Sequence, residues 1–284
     1  MAPLSAPDNV SLRPMTEVDI PAAHALSVLL GWPHRLEDWQ MMLRLSHGVV
    51  LEEGGKIIGT AFCCVQGRYS TIGLVIVADS HQGRGLGRRL MEAALAAGGT
   101  ATATLTATSQ GAPLYEKLGF VTYGALAQHH GVLETSPAVR SPIAVRPLRA
   151  DEHVAVQALA QAASSFTRGA VLDEVLKIAE RVLVVEEGGL LTGLAVLRPF
   201  GRGLMIGPVI AGSTAQAQAL IESVLVHCAG RFVRIDVTAG SGLSEWLASV
   251  GLPNVDRPVQ MTRGKAPGGD GQVTQVGVVT QALG

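Results

Sequence analysis

Sulfur, aromatic rings and net charge are all scarce in this chain of 284 residues, and each scarcity rules something out. The three cysteines, Cys63, Cys64 and Cys228, show neither metal-ligand spacing nor a disulfide framework, so no metal site is expected. Adjacent Cys63 and Cys64 fall in an apolar run, where small core residues are the natural reading. A formal net charge of -1 leaves no basic field to hold nucleic acid, and aromatics at 4% offer few stacking surfaces. The longest candidate for a membrane span, residues 188–212, is cut by Arg198, Pro199, Arg202 and Pro208. The opening MAPLSAPDNV puts no basic residue ahead of an apolar stretch, so no secretory leader is expected, and a cytoplasmic protein is the default. What is present is core-forming: hydrophobic residues make up 48% of the chain and charged ones only 16%, which argues against disorder.

The chain repeats itself. SLRPMTEVDIPAAHAL at 11–26 matches AVRPLRADEHVAVQAL at 144–159, with Arg13-Pro14 over Arg146-Pro147. VVLEEGGKIIGTA at 49–61 matches LVVEEGGLLTGLA at 183–195, and TLTATSQGAPLYEKLGF at 104–120 matches RIDVTAGSGLSEWLASVGL at 234–252. Three segments in one order at an offset of about 133 residues mean two copies of one domain rather than a solenoid. The join is read near residues 134–145, giving domains over 1–138 and 139–284. Each copy reads as a short strand, an amphipathic helix, a hairpin turned at Glu-Glu-Gly-Gly, a buried strand, and then alternating helices and strands. That pattern is a mixed-sheet α/β domain, also describable as α+β.

One stretch stands out. TIGLVIVAD at 71–79 is a β-branched run suited to a central strand, and Leu90, Met91, Ala94 and Leu95 have helical spacing. SHQGRGLG between them therefore sits at a strand-to-helix junction, where bare N–H groups and the helix dipole favour an anion. Gly83, Gly85 and Gly87 admit close approach, and Arg84, Arg88 and Arg89 add positive charge. A Walker loop needs a lysine that is missing, and a dinucleotide fingerprint needs glycine where Arg88 stands. A glycine-rich turn with no ligand remains a reading of the stretch taken alone.

Gln82-Gly83-Arg84-Gly85-Leu86-Gly87 resembles the Q-x-x-G-x-G pyrophosphate signature of the GCN5-related N-acetyltransferase (GNAT) superfamily. GAPLYEKLGF at 111–120 resembles that family's second signature, L-Y-x-x-x-G-F, one helix and one strand further on. The resemblance covers residues 11 to 130, and more weakly the second copy. It implies two tandem GNAT-type domains and acetyl-CoA as co-substrate. Main-chain groups of Val75 and Val77 would bond the pantetheine arm and thioester, and amides from Gly83 to Arg88 the pyrophosphate. A strand N–H would face the oxyanion, and the amine would attack directly with both substrates bound. Tyr115 takes the place of the family's general acid, which protonates the departing thiolate. Thr108 and Gly111 stand where the family often has Asn and Ala, and Asp79 where it often has Pro.

The general base is not evident. His34 lies in the loop that lines the acceptor site in this fold, flanked by Trp32 and Trp39, which would either wall a pocket or simply pack. His81, His129 and His130 are further histidines with ordinary alternatives. In the second copy Gly83, Gly85 and Gly87 map to Ala217, Ala219 and Ile221, and Tyr115 maps near Trp246, so that copy is expected to be catalytically silent. Ser213 or Thr214 is expected to cap its helix, and a last strand to run over about 273–280. The expected activity is acetylation of a primary amine on a small molecule. Alternatives are acetylation of a protein N-terminus or lysine, and a non-catalytic acyl-CoA sensor. Monomer and homodimer remain equally open.

Overall fold

The computed structural model describes residues 9–99 and 102–284. The first eight residues, most of the stretch read for a leader, lie outside the described residues. Two compact units are present: Met1–Cys64 with Ile72–Gly99, and Val65–Thr71 with Thr100–Gly284.

The first unit is built on β1 (Val10–Pro14), β2 (His47–Glu53), β3 (Lys56–Gln66) and β4 (Tyr69–Val77), in that order across the sheet, except that the end of β3 and the start of β4, within Val65–Thr71, belong to the second unit. Helices α1 (Ile20–Leu29) and α2 (Leu36–Leu45) connect β1 to β2, and α3 (Leu86–Gly98) follows β4. The β2–β3 turn works because Gly54 and Gly55 both take positive φ, 57° and 78°, as a two-residue hairpin of matching twist requires. α3 buries Leu86, Leu90, Met91 and Ala94 along one stripe, as its spacing predicts. Cys63 and Cys64 are buried on β3, as the sequence suggested.

The second unit contains β5 (Thr102–Ala107), α4 (Ala112–Lys117), β6 (Val121–Val132), β7 (Arg146–Pro147), α5 (His153–Ser164), α6 (Gly169–Lys177), β8 (Arg181–Glu187), β9 (Leu190–Phe200), β10 (Gly203–Ala211), α7 (Thr214–Leu225), β11 (Phe232–Thr238), α8 (Ser244–Ser249), β12 (Asn254–Asp256), β13 (Val259–Arg263) and β14 (Thr274–Gly277). Its sheet runs β5-β13-β6-β11-β14-β10-β9-β8-β7, with β12 also paired to β6. Gly188 and Gly189 repeat the first hairpin turn at φ 58° and 80°. A core of apolar residues from β9, β10, α7 and β11, with Leu197, Ile206, Leu220 and Ile235 all fully buried, holds the helices to the sheet.

The two copies exchange strands. β6, which ends the first copy, pairs antiparallel with β11 of the second, from Phe232↔Val132 to Thr238↔Leu126. β13, near the end of the second copy, pairs with β5 of the first, from Val259↔Ala107 to Arg263↔Ala103. β6 and β13 also pair with each other. The residues joining the copies, 133–145, are irregular and are tied down where Glu222 accepts from Arg140 N at 3.0 Å and Ser141 N at 3.3 Å.

Candidate active site

In the first unit, β4 delivers the chain to the glycine loop. Val75 and Val77 are half-buried and alternate with buried Leu74 and Ile76. Leu74 has φ +50°, a left-handed conformation costing a β-carbon residue on the order of 1–2 kcal/mol. Thr60 Oγ1 donates to the Leu74 carbonyl at 2.7 Å and helps hold the distortion. Backbone strain of this kind clusters at functional sites in proteins generally. Sequence reasoning missed Leu74, although Gly73 inside a strand pattern was a signal for a bulge.

Past Val77 the chain turns through Asp79–His81, and Gln82 braces the turn. Its Nε2 donates to Val77 O at 3.3 Å and Asp79 Oδ1 at 2.9 Å. Gly83 and Gly85 then take φ +78° and +75°, and a Cβ on either would point into open space. The left-handed glycines turn the chain sharply into the helix start, where unpaired amides cluster, and that arrangement fits a bound pyrophosphate. Gly85 is the N-cap of α3, and the first helical bond runs from Arg89 N to Gly85 O at 3.2 Å. The N–H groups of Leu86, Gly87 and Arg88 belong to the first helical turn, which has no intrahelical acceptor for them. Glu53 ties the loop to the hairpin, accepting from Arg84 at 2.9 Å and lying 2.9 Å from His81 Nε2. These two partners hold the Glu53 carboxyl below its ordinary pKa, Arg84 having the larger effect. Arg88 lies 3.7 Å from Glu92, one turn along α3.

His34 belongs to the same unit, in the loop between α1 and α2. Its ring tilts against Trp32 at 6.0 Å between centroids, and its carbonyl accepts from His24 Nε2 at 2.8 Å. Trp39 is not a pocket wall. It is fully buried, donates from Nε1 to Ser27 Oγ at 3.3 Å and meets Phe62 edge-on, because its place on α2 faces the core.

Thr108 and Tyr115 come together in the second unit. Thr108 Oγ1 accepts from Gly111 N at 3.2 Å and so starts the turn into α4. The missing side chain of Gly111 leaves room for the Tyr115 ring, whose Cε2 would lie 3.0 Å from a Cβ there. Tyr115 is 9% exposed and packs edge-on against Phe120. Burial pushes its phenol up to about 12, so the hydroxyl keeps its proton throughout the neutral range. His129 is fully buried, with Nδ1 2.8 Å from Leu252 O and Nε2 2.8 Å from Ser244 Oγ. His130 lies against Phe232, and burial and nearby arginines lower its pKa.

The second copy is built differently at the equivalent places. Ser213 caps α7, accepting from Gln216 N at 3.1 Å, and Gln216 Oε1 accepts from Gly212 N at 2.8 Å. This helix end is closed by its own side chains. β10 and β11 run parallel only over Leu204–Ile206 and Val233–Ile235. Beyond that point β14 lies between them, pairing with β10 from Val209↔Gly277 to Ala211↔Thr274 and with β11 at Val237↔Gly277. Val278 N then donates to Asp236 O at 3.0 Å. The last strand, expected over about 273–280 and observed at Thr274–Gly277, fills the split between the two strands.

Comparison with known proteins agrees with this geometry. The family description "Acetyltransferase (GNAT) domain" matches residues 44–122 and, in a second form, residues 156–273. The chain belongs to the GNAT superfamily and carries its domain twice, which makes it an enzyme of the acetyltransferase class. An uncharacterized N-acetyltransferase of Bacillus subtilis, YitH, is 28% identical over 89% of this chain and 91% of its own length. A Pyrococcus horikoshii protein solved as a candidate acetyltransferase shares the fold with a TM-score of 0.81 at 19% identity, over 100% of this chain and 99% of that one. A tandem GNAT protein from the clavulanic acid pathway superposes at 0.64 with 17% identity, over 89% of this chain and 98% of that one. Among the described residues, no helix is long and apolar enough to cross a membrane.

Proposed function

We propose that the chain transfers acetyl from acetyl-CoA to a primary amine of a small molecule, by direct attack with both substrates bound, and that only the first copy works. The observation that carries this reading is the contrast between two equivalent helix ends. The α3 end has left-handed Gly83 and Gly85 with open space beside them, whereas the α7 end is capped by Ser213 and Gln216.

Acetyl-CoA, when bound, supplies the activated thioester. The main chain from Gly83 to Arg88 holds its pyrophosphate, with N–H groups of the first helical turn as donors and the helix dipole favouring the charge. Arg84 and Arg88 add positive charge, and Gln82 keeps the loop in shape. Val75 and Val77 offer strand main chain to the pantetheine arm, and Thr108 its hydroxyl. Tyr115, held protonated by burial, gives its proton to the departing sulfur. The domains are taken as 1–138 and 139–284, the second serving a structural role.

The test is release of free thiol from acetyl-CoA by the purified full chain with a panel of small amines, with the N-acetylated product found by mass. Amine-dependent release supports the reading. Acetyl-CoA binding with no transfer to any amine would favour the acyl-CoA sensor, and transfer only to peptides would favour a protein acetyltransferase.

A further inference from the structure

The glycine loop has a weakness that follows from its composition. Gly83 and Gly85 are both left-handed, at φ +78° and +75°, and glycine has more conformational freedom to lose than any other residue. Freedom that is lost only when a ligand arrives subtracts from affinity, so a loop of this kind binds best where its shape is fixed beforehand.

The fixing comes from the β2–β3 hairpin of the same unit. Glu53 ends β2, one residue before the Gly54-Gly55 turn. Its two carboxylate oxygens are divided along the loop. Oε1 accepts from Arg84 Nη2 at 2.9 Å, and Oε2 lies 2.9 Å from His81 Nε2. His81 is held by its other nitrogen too, Nδ1 being 2.8 Å from Ser80 Oγ. Arg84 stands between the two left-handed glycines, and His81 stands two residues before the first of them. Gln82 grips inward, to Val77 O and Asp79 Oδ1. Residues 81, 82 and 84 are thus each tied by a side chain, and Gly83 is restrained from both sides. Glu53, Arg84 and His81 are all partly exposed, so a pair of this kind contributes little to overall stability.

The second copy has the same arm with a different grip. Glu187 takes the place of Glu53 in its hairpin, and Gln216 the place of Gln82. Gln216 Nε2 donates to Glu187 Oε1 at 3.1 Å. There the glycines are gone, and the glutamate reaches a residue inside α7 rather than a loop. Of the two arms, the one that holds residues on both sides of a left-handed glycine is in the copy that keeps the glycines.

We infer that Glu53 is a positioning residue for the cofactor: through Arg84 and His81 it holds the loop in its anion-binding shape before acetyl-CoA arrives. The inference rests on the cofactor reading above. The sign of its effect separates positioning from charge. Glu53 is an anion beside a loop that binds an anion, so by Coulomb's law alone its removal tightens binding. If it positions the loop, its removal weakens binding.

The experiment is titration calorimetry of acetyl-CoA into the full chain, Glu53→Ala, Glu53→Gln, the double variant His81→Ala/Arg84→Ala, and that double variant with Glu53→Ala added. Kd should rise about 3–10-fold in Glu53→Ala, the size that two partly exposed ion pairs supply together. Glu53→Gln, which keeps an acceptor oxygen, should fall between parent and Glu53→Ala. With both partners already removed, Glu53→Ala should weaken binding no further. Glu187→Ala should leave Kd unchanged. In the ligand-free protein, amide hydrogen exchange over residues 82–88 should be faster in Glu53→Ala than in the parent, while residues 90–98 of α3 keep their protection. Equal or tighter binding in Glu53→Ala, a further loss where both partners are absent, or unchanged exchange in the loop would overturn the inference and leave the cofactor reading standing. No acetyl-CoA binding by the parent chain would instead sink that reading, and this inference with it.

Discussion

Gly207 on β10 lies directly against the main chain of Val278: a Cβ at residue 207 would collide with the Val278 carbonyl oxygen. By the internal repeat Gly207 corresponds to Gly73, and Pro208 to Leu74. The first copy distorts its strand at Leu74, and the β9–β10 register of the second shifts between Ile206 and Val209. In the second copy the space made by the break is taken by the chain's own β14 segment. A degenerate sequence there is thus matched by a filled cleft.

Gly207→Ala should therefore expel or shift the Val278 segment. Overpacking of this kind costs about 1–3 kcal/mol. Urea unfolding should show a loss in that range, and a change within about 0.5 kcal/mol, as at an ordinary surface site, would argue against the tight seat.

Tyr115→Phe tests the proposed acid. Deletion of a general acid lowers turnover by about 10²–10⁴-fold. Steady-state kinetics should show kcat falling by at least the lower figure with KM for acetyl-CoA little changed, since the Phe ring keeps the packing against Gly111 and Phe120. Equal kcat in the two proteins would reduce Tyr115 to a packing residue.

Both copies keep one ion cluster. Arg13 donates to Asp19 through Nη1 and Nη2, each at 2.8 Å, and to Glu52 at 2.9 Å. Arg146 does the same with Glu152, at 2.8 and 2.5 Å, and also bonds Glu186. The Arg146 hydrogen bonds, and then the Arg149 amide, lower the Glu152 carboxyl to about 2. A carboxyl whose folded pKa is depressed stabilises the fold above its unfolded pKa, about 4.3, and loses that contribution as pH falls through the folded value. Glu152→Gln should be less stable than the parent at pH 7, with the gap closing between about pH 4.3 and pH 2. A gap independent of pH would show that charge is not the source.

Much of this was legible in the residues. The repeat, both Glu-Glu-Gly-Gly hairpins and the helix after the glycines are local patterns, and Ser213 emerged as the α7 cap as expected. The strand exchange was not legible, because β13 finds β5 across more than 150 residues and no periodicity encodes that partner. Trp39 shows a second limit. Its neighbourhood of Trp32 and His34 suggested a pocket, and only the burial of one α2 face assigns it to the core. A cavity beside Thr104 gathers residues from six strands far apart in the chain, β4, β5, β6, β11, β13 and β14, so it was invisible until the strands were in place.

The most direct test of one working cofactor loop per chain is titration calorimetry of acetyl-CoA into the full chain and into Gly85→Glu, with circular dichroism to show that both fold. The account predicts one site per chain, lost in the variant, where a charged side chain fills the open space beside the α3 end. Two sites, or one that survives Gly85→Glu, would contradict it.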